Sequence, residues 1–220
     1  MVFDSVYEMF DPLEDKQGNR FWDWFSGKSL DSRWVTHNTG TGSGDFDMTD
    51  DGLRITSTDN GATTMDWSDA NPPPTRPYSN TGSVMIVVSK LTQAQYAIQY
   101  CQLRTNHYTE AGEYVGWNTQ GVTNGNASDN KIKLITNSGG GNVDTSLGSG
   151  VLYDWHVYKL TVGNGTSTLS VDGVTSGTGF ASTSSNPDAI LQPAIVSSAS
   201  EGSVTDGAVN HFRYMECYNT

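Results

Sequence analysis

The glutamates of the segment Glu110-Ala111-Gly112-Glu113 come nearest to a catalytic pair in this chain. Two carboxyl groups can cleave a glycosidic bond, and the retaining reaction needs them about 5–5.5 Å apart. On a regular strand a spacing of three points the two side chains to opposite faces, because successive side chains alternate. The pattern therefore favours two solvated glutamates at the start of a strand, and a catalytic pair would require a loop conformation here.

A dense acidic segment suggests a second kind of chemistry. Asp45, Asp47 and Asp50 are followed by Asp51 and a glycine. Calcium binds several hard oxygen ligands, and an Asp-x-Asp pattern supplies two of them at once. The spacing does not match the EF-hand pattern, and an acidic turn explains the same residues. A calcium site at Asp45, Asp47 and Asp50 and a simple acidic turn both remain open.

Aromatic residues beside amides suggest a third kind of site. A ring packs against the C–H face of a sugar, while neighbouring polar side chains bind the hydroxyl groups. The predicted ligand-binding residues are Trp117, Tyr108, Tyr114 and Asn118. Trp117 is the preferred sugar-stacking residue because a polar segment follows it. The competing role is packing between sheets, which we favour for Trp34 and Trp155.

Residues 154–174 predict the hairpin that organises the chain. Apolar residues alternate with polar ones along both halves of this segment, at Tyr158, Leu160, Val162, Leu169 and Val171. This period of two indicates strands with one buried face. Asp172-Gly173 is a turn signal, because a tight hairpin needs residues that tolerate positive φ. His156 shares the parity of the buried positions and is predicted to be a core histidine with its hydrogen bonds satisfied.

Similar short segments along the chain predict about ten to twelve strands and no long helix. Residues 137–150 and 175–188 are rich in Gly, Ser and Thr and are predicted to be loops. Pro193 places residues 189–196 at a sheet edge or a bulge. Residues 1–20 are predicted to be an N-terminal arm, and residues 21–220 a single all-β domain. We expect a two-sheet antiparallel jelly-roll β-sandwich.

The net charge of the chain limits the classes of molecule that it is expected to bind. Its formal net charge is −12 over 220 residues. This argues against nucleic acid and against an anionic membrane surface, because both attract clustered Lys and Arg. It suits a soluble surface protein, a calcium site or a neutral ligand such as a glycan. The chain has no apolar run long enough to span a bilayer. Its first residues lack the basic segment and apolar run of a secretory signal, so we expect them not to be one.

The cysteines leave two alternatives open. Cys101 and Cys217 are far apart in sequence, and both fall in predicted strands. Neither lies at metal-ligand spacing. Two buried thiols are the simpler interpretation, and a disulfide between strands is the other.

Three segments resemble the concanavalin A-like lectin/glucanase superfamily, which includes laminin G-like domains. They are the opening strand and turn at residues 25–34, the hairpin with its Val171-Asp172-Gly173 turn, and the closing strand at residues 209–214. The resemblance implies a jelly roll and, as a family tendency, carbohydrate binding. Residues 108–114 also resemble a strand of jelly-roll alginate lyases, but Glu110 stands in place of its lysine and the matching Arg-rich and Gln-x-His strands are missing. A polyanionic substrate would also meet a protein with a net charge of −12. The retaining glucanases of the superfamily carry a Glu-x-Asp-x-x-Glu string, which this chain lacks.

These observations favour a non-enzymatic module that binds glycans or a neighbouring subunit, and a homo-oligomer is one form it could take. We expect it outside cells or on a virion surface, for instance as a capsid protein. The alternative is a glycan-cleaving enzyme of the same fold, either a glycoside hydrolase or a polysaccharide lyase, with an atypical site.

Overall fold

A computed structural model describes residues 20–31, 34–39, 44–57, 62–66, 78–79, 82–93, 97–104, 114–120, 131–136, 143–146, 154–163, 166–179, 190–199 and 208–220. These residues form sixteen strands. The strands are β1 (Arg20–Asp23), β2 (Val35–Thr39), β3 (Gly44–Thr49), β4 (Gly52–Ser57), β5 (Ala62–Asp66), β6 (Tyr78–Ser79), β7 (Gly82–Gln93), β8 (Ala97–Arg104), β9 (Tyr114–Gln120), β10 (Lys131–Thr136), β11 (Val143–Ser146), β12 (His156–Gly163), β13 (Ser167–Val171), β14 (Val174–Gly179), β15 (Ile190–Ala199) and β16 (Ala208–Asn219). No helix among the described residues has the length and hydropathy needed to cross a membrane.

The predicted central hairpin is formed by β12 and β13. Tyr158 pairs with Val171 in its register, and both side chains are buried. Asp172 and Gly173 have φ values of 51° and 81°, the left-handed conformation that this turn requires. The Asp172 carboxylate stabilises the hairpin by contacts to the start of β12. It accepts a hydrogen bond from the backbone N–H of Val157 at 2.9 Å and lies 2.6 Å from Nδ1 of His156.

The strands form two antiparallel sheets of eight strands each, which confirms the predicted all-β sandwich. The first sheet has the order β14-β13-β12-β7-β16-β4-β3, with β1 also paired to β16. The second has the order β11-β10-β9-β8-β15-β5-β2, with β6 also paired to β15. Strands distant in sequence are thus neighbours in both sheets, as in a jelly roll.

One apolar core joins the two sheets. Met85, Leu160 and Met215 contribute to it from the first sheet, and Leu103 and Ile195 from the second. All of these side chains are buried. Cys101 and Cys217 also belong to this core, and both are free thiols.

A polar network crosses the core between the sheets. Gln99 on β8 accepts a hydrogen bond from Ser89 on β7 at 3.1 Å and donates to Asn210 on β16 at 3.5 Å. Asn210 in turn donates to Ser197 on β15 at 2.6 Å. All four side chains are buried, so these bonds also help to fix the alignment of one sheet on the other.

The outer face of the first sheet is mostly apolar, and it also holds the buried carboxylate of Glu216, which accepts a hydrogen bond from the Tyr214 hydroxyl at 3.0 Å. Val84, Ile86, Val88 and Tyr214 are buried there beneath partly buried aromatic side chains, namely Trp22, Trp24, Trp155 and Tyr218. The outer face of the second sheet differs in chemistry, and this difference locates the candidate site.

Several elements differ from the expectations. β11 and β14 lie in segments predicted to be loops, and both are terminal strands in the order of their sheets. β15, predicted to lie at an edge or to contain a bulge, is a central strand. Its Pro193 falls between Leu191, the last residue paired to β6, and Ala194, the first paired to β5. This interruption accommodates a residue without an N–H group. Apart from Arg20, the predicted N-terminal arm lies outside the described residues.

Candidate functional site

Strands β8 and β9 carry a polar face on the outside of the second sheet. In their register Arg104 pairs with Tyr114, Gln102 with Gly116, and Tyr100 with Asn118. The residues that alternate with them, which include Cys101, Leu103, Val115 and Trp117, are buried in the core. The opposite parity therefore faces away from the core. We call Tyr100, Gln102, Arg104, Tyr114 and Asn118 the outer cluster.

Arg104 is the charged centre of the outer cluster. Its Nη1 atom donates a hydrogen bond to Oε1 of Gln102 at 2.7 Å. Its guanidinium carbon lies 5.3 Å from the centre of the Tyr114 ring, which is the distance of a cation–π contact. Only 5% of Arg104 and 2% of Gln102 is exposed. The planar guanidinium is thus held in one orientation, as recognition of a carboxylate by two parallel hydrogen bonds requires.

Gly116 allows the Gln102 side chain to lie close above β9. A Cβ atom on Gly116 would lie 2.9 Å from Cγ of Gln102 and 2.2 Å from the carbonyl oxygen of Cys101. No side chain therefore fits between Tyr114 and Asn118 on this strand. A glycine inside a strand often marks such a close approach, and here it leaves room for the Gln102 amide.

Asn118 carries an acceptor with no partner. Its side chain is 9% exposed, and its Oδ1 atom is buried without a hydrogen bond. A buried polar atom that lacks a partner costs about 1–3 kcal/mol. Such an atom on a polar face is suited to receive a hydrogen bond from a bound molecule.

The register also brings cationic residues beside the outer cluster. Lys133 on β10 pairs with Asn118, and Lys131 pairs with Gln120. The acidic residues nearest by register are on flanking strands: Asp144 pairs with Lys133, and Asp66 pairs with Ala194. At the positions level with the outer cluster, β8, β9, β10 and β15 carry Lys and Arg but no Asp or Glu.

The structure places the predicted ligand-binding residues in different parts of the fold. Tyr114 and Asn118 both lie in the outer cluster. Trp117 does not, because it is fully buried in the core and stacks on Tyr158 with 5.7 Å between ring centres. The prediction that Trp117 stacks on a sugar is therefore wrong. Tyr108, Glu110 and Glu113 lie outside the described residues. Sequence reasoning missed Tyr100, Gln102 and Arg104, although they alternate with Cys101 and Leu103.

The aspartates of the predicted calcium site lie in β3 and in the turn that follows it. Asp45 accepts a hydrogen bond from the backbone N–H of Phe46 at 2.9 Å, and Asp47 pairs with Arg54 at 2.7 Å. Asp50 is exposed in the turn. Among the residues with a described placement, no three His, Cys, Asp or Glu side chains are grouped as a metal ion would require. Calcium binding stays a prediction.

A cavity of about 510 Å³ lies beside the turn after β1 and includes Asp23, Phe25 and Met48. The Asp23 carboxylate has a structural role there. It accepts hydrogen bonds from the backbone N–H of Phe25 at 2.8 Å and from Nε1 of Trp34 at 2.7 Å. These bonds hold Phe25 at a φ of 46°. The carboxylate oxygens are thus engaged, and we place the candidate site at the outer cluster.

The fold is shared with solved structures of enzymes that act on glycans. The Crh5 transglycosylase in complex with NAG is 14% identical, with a TM-score of 0.64, and the match covers 92% of this chain and 84% of that chain. The β-glucanase of Bacillus licheniformis is 12% identical, with a TM-score of 0.63 and coverage of 93% and 100%. The laminarinase of Flavobacterium sp. UMI-01 is 13% identical, with a TM-score of 0.62 and coverage of 90% and 99%. No protein-family model and no curated protein matches the sequence.

These likenesses confirm the concanavalin A-like jelly roll, and they correct the functional expectation. The expectation from the sequence was a non-enzymatic binding or structural module in preference to an enzyme. Both preferences are contradicted, because the structures that share this fold include a transglycosylase, a β-glucanase and a laminarinase. They favour the alternative of a glycan-cleaving enzyme. They lend no support to a viral capsid protein, to calcium binding or to a subunit partner.

Proposed function

We propose that this protein is a glycan-cleaving enzyme and that its glycan binds at the outer cluster. The observation that carries the proposal is the buried Oδ1 atom of Asn118, which has no hydrogen-bond partner. A sugar hydroxyl donates readily to such an acceptor. The chemistry of the surrounding face agrees, since sugar sites combine aromatic rings with a few fixed polar groups, and Tyr100, Tyr114, Gln102 and Arg104 supply both.

The two outer faces of the sandwich support this choice of site. On the first sheet, Val84, Ile86, Val88 and Tyr214 are buried on the outer face among aromatic rings. The Glu216 carboxylate is also buried there, and it is bonded to the Tyr214 hydroxyl. On the second sheet, buried hydrogen-bonding groups lie between partly buried tyrosines. A glycan presents hydroxyl groups around apolar C–H faces, so the second sheet matches it better.

Cleavage is supported by the kind of proteins that share the fold. Structures that match over 90% or more of this chain include a β-glucanase and a laminarinase. We extend to this protein only their general activity, the cleavage of a glycan chain.

The test is an assay of the purified protein for new reducing ends on a panel of neutral and acidic polysaccharides. Asn118→Ala should raise KM about tenfold, because a hydrogen bond and the burial of its acceptor together contribute about 1–2 kcal/mol. Asn219→Ala, the same change on the first sheet, is the control and should leave KM unchanged. If the folded protein releases new reducing ends from none of the polysaccharides, the proposed activity is refuted. An unchanged KM in Asn118→Ala would refute the proposed site.

A further inference from the structure

We propose that the outer face of the first sheet contains a binding site for an oxyanion, built around His211 and Arg54. The group that binds there is a sulfate, a phosphate or a carboxylate, either as a free ion or as a substituent of a sugar. The outer cluster is on the other sheet, so this site is separate from the proposed function and does not depend on it. Its basis is a pair of neighbouring side chains that each carry a buried nitrogen atom without a hydrogen-bond partner.

The strand register places His211 between two cationic side chains. His211 pairs with Lys90 of β7 on one side and with Arg54 of β4 on the other. Its neighbours along β16, Asn210 and Phe212, are buried between the sheets, so His211 points to the outer face. Residues directly opposite one another on paired strands have Cβ atoms about 4.5–5.5 Å apart. Lys90, His211 and Arg54 therefore form one row across the sheet, which we call the basic row.

A β-bulge adds a further cation beside the basic row. The register of β16 on β7 shifts between Phe212 and Tyr214, so Arg213 is the extra residue. A bulge re-aims the side chains at its position. Here the Arg213 guanidinium carbon lies 4.1 Å from the centre of the Trp155 ring, and Nζ of Lys90 lies 4.7 Å from it. Both are cation–π distances, so the Trp155 ring keeps these two cations close together.

The carboxylates that contact these cations do not neutralise them completely. Asp47 accepts a hydrogen bond from Nη2 of Arg54 at 2.7 Å. Asp51 accepts one from Nη2 of Arg213 at 2.7 Å and lies 3.6 Å from Nζ of Lys90. Three cations are thus in contact with two carboxylates, which leaves one positive charge here in a chain whose net charge is −12. A local positive charge on an acidic protein attracts an anion to that place.

The basic row also has hydrogen-bonding atoms that the described part of the protein leaves unused. Nε of Arg54 and Nδ1 of His211 are both buried without a partner. The Nε atom of a guanidinium always carries a hydrogen, and an imidazole nitrogen donates when it carries the ring proton. An oxyanion has several acceptor oxygens, and hydrogen bonds to an ionised group are stronger than those between neutral groups. One oxyanion can therefore accept hydrogen bonds from both residues.

The electrostatic environment of His211 agrees with this arrangement. The pKa of His211 is lowered, first by burial and then by the positive charge of Lys90. Arg54 and Arg213 act in the same direction, and Asp51 acts in the opposite one. The cations around the imidazole thus disfavour its charged form. A bound anion counteracts their effect, so the pKa of His211 should rise when an oxyanion binds.

The experiment titrates the protein with sodium sulfate and sodium phosphate, and with sodium chloride at equal ionic strength so that charge screening is the same. Binding is followed by the NMR chemical shift of the His211 imidazole, which is assigned by its absence in His211→Gln. We expect a saturable shift and a raised pKa of His211 with either oxyanion, and no saturable shift with chloride. A shift that rises linearly with salt and is equal in chloride would overturn the proposal.

Two variants test the residues of the site. Arg54→Gln should raise the Kd of the oxyanion at least about tenfold, because it removes a charged hydrogen-bond donor. The Arg54 side chain is 43% exposed, so this variant should fold, which circular dichroism checks. Lys159→Gln is the matched control, since Lys159 is an exposed cation of the same sheet that pairs with Ile86, away from the basic row. It should leave Kd unchanged. An unchanged Kd in folded Arg54→Gln would overturn the proposal.

A second series of probes distinguishes the two sources of the oxyanion. It compares glucose 6-sulfate, glucose 6-phosphate and glucuronate with glucose and with the free ions. Tighter binding of a charged sugar than of the free ion would assign the site to a substituent of a sugar. Equal Kd values would assign it to a free ion. Saturable binding of glucose at this site with the same Kd would show that no charge is recognised, and would overturn the proposal while leaving the cleavage proposed at the outer cluster standing.

Discussion

Replacing Gly116 by alanine tests the strand pairing on which the outer cluster depends. A Cβ atom at this position would lie 2.2 Å from the Cys101 carbonyl oxygen and 2.8 Å from Cα of Gln102, whereas ordinary contacts begin at 3.4 Å. Both atoms are backbone atoms of β8, so no rotation of a side chain can relieve the clash. The two strands would have to separate by about 1 Å, which lengthens the hydrogen bonds between them.

The cost follows from the severity of this contact. Overpacking a buried site costs about 1–3 kcal/mol, and a clash with backbone belongs at the upper end. We expect Gly116→Ala to lower the free energy of unfolding by about 3 kcal/mol. For a domain of this size each kcal/mol lowers Tm by roughly 2–4 °C, so Tm should fall by roughly 6–12 °C. Gly116→Ala should also lose glycan cleavage at temperatures where it is still folded, because Gln102 would be displaced.

Gly173→Ala is the matched control, since the same atom is added where there is space. Gly173 has a φ of +81°, and no atom lies within 4 Å of its added Cβ. Only the strain of a left-handed residue applies, about 1 kcal/mol, and Tm should fall by roughly 3 °C with activity retained. Calorimetry or thermal denaturation followed by circular dichroism measures both variants. A Gly116→Ala protein as stable as Gly173→Ala would refute the register between β8 and β9.

Three further predictions concern groups outside the site. Gln99→Leu should lower the free energy of unfolding in urea by about 2 kcal/mol, because it leaves buried polar partners such as Ser89 without their hydrogen bond. An unchanged midpoint of urea unfolding would show that the polar network does not stabilise the core. The pKa of His211 is lowered, first by burial and then by the positive charge of Lys90. The unfolded chain therefore takes up a proton first as pH falls below the ordinary value of 6.5, so stability should decrease there. That decrease should be smaller in His211→Gln, and parallel stability curves for the two proteins would contradict this. Burial raises the pKa of the Cys101 and Cys217 thiols, so a thiol reagent at neutral pH should label neither in the native protein and both in urea; labelling of neither in urea would indicate a disulfide.

The strands that sequence patterns identify are those whose buried residues are large and apolar. The alternation of Tyr158, Leu160 and Val162, followed by the Asp172-Gly173 turn, is sufficient to place the β12–β13 hairpin. β14 shows no such alternation, because Gly, Ser and Thr make up most of it. It is a terminal strand in its sheet. Backbone hydrogen bonds to its single neighbouring strand, and not the burial of apolar side chains, keep it extended. Local patterns cannot reveal that neighbour.

The candidate site depends on a choice of parity that local pattern leaves open. On β9, Tyr114 and Asn118 have one parity, and Val115 and Trp117 have the other. Each face of the strand carries an aromatic ring able to stack on a sugar, Tyr114 on one and Trp117 on the other. The sequence of this strand alone therefore does not reveal which face is buried. The cross-strand partners decide it: Trp117 pairs with Cys101 on one side and with Leu134 on the other, and both are buried in the core. A shift of β9 by one residue in this register would exchange the two faces of that strand. It would place Trp117 on the surface and Tyr114 and Asn118 in the core. The exposure of Trp117 and the burial of the Asn118 amide among apolar side chains oppose that arrangement, so the register that buries Trp117 is also the one that assembles the outer cluster.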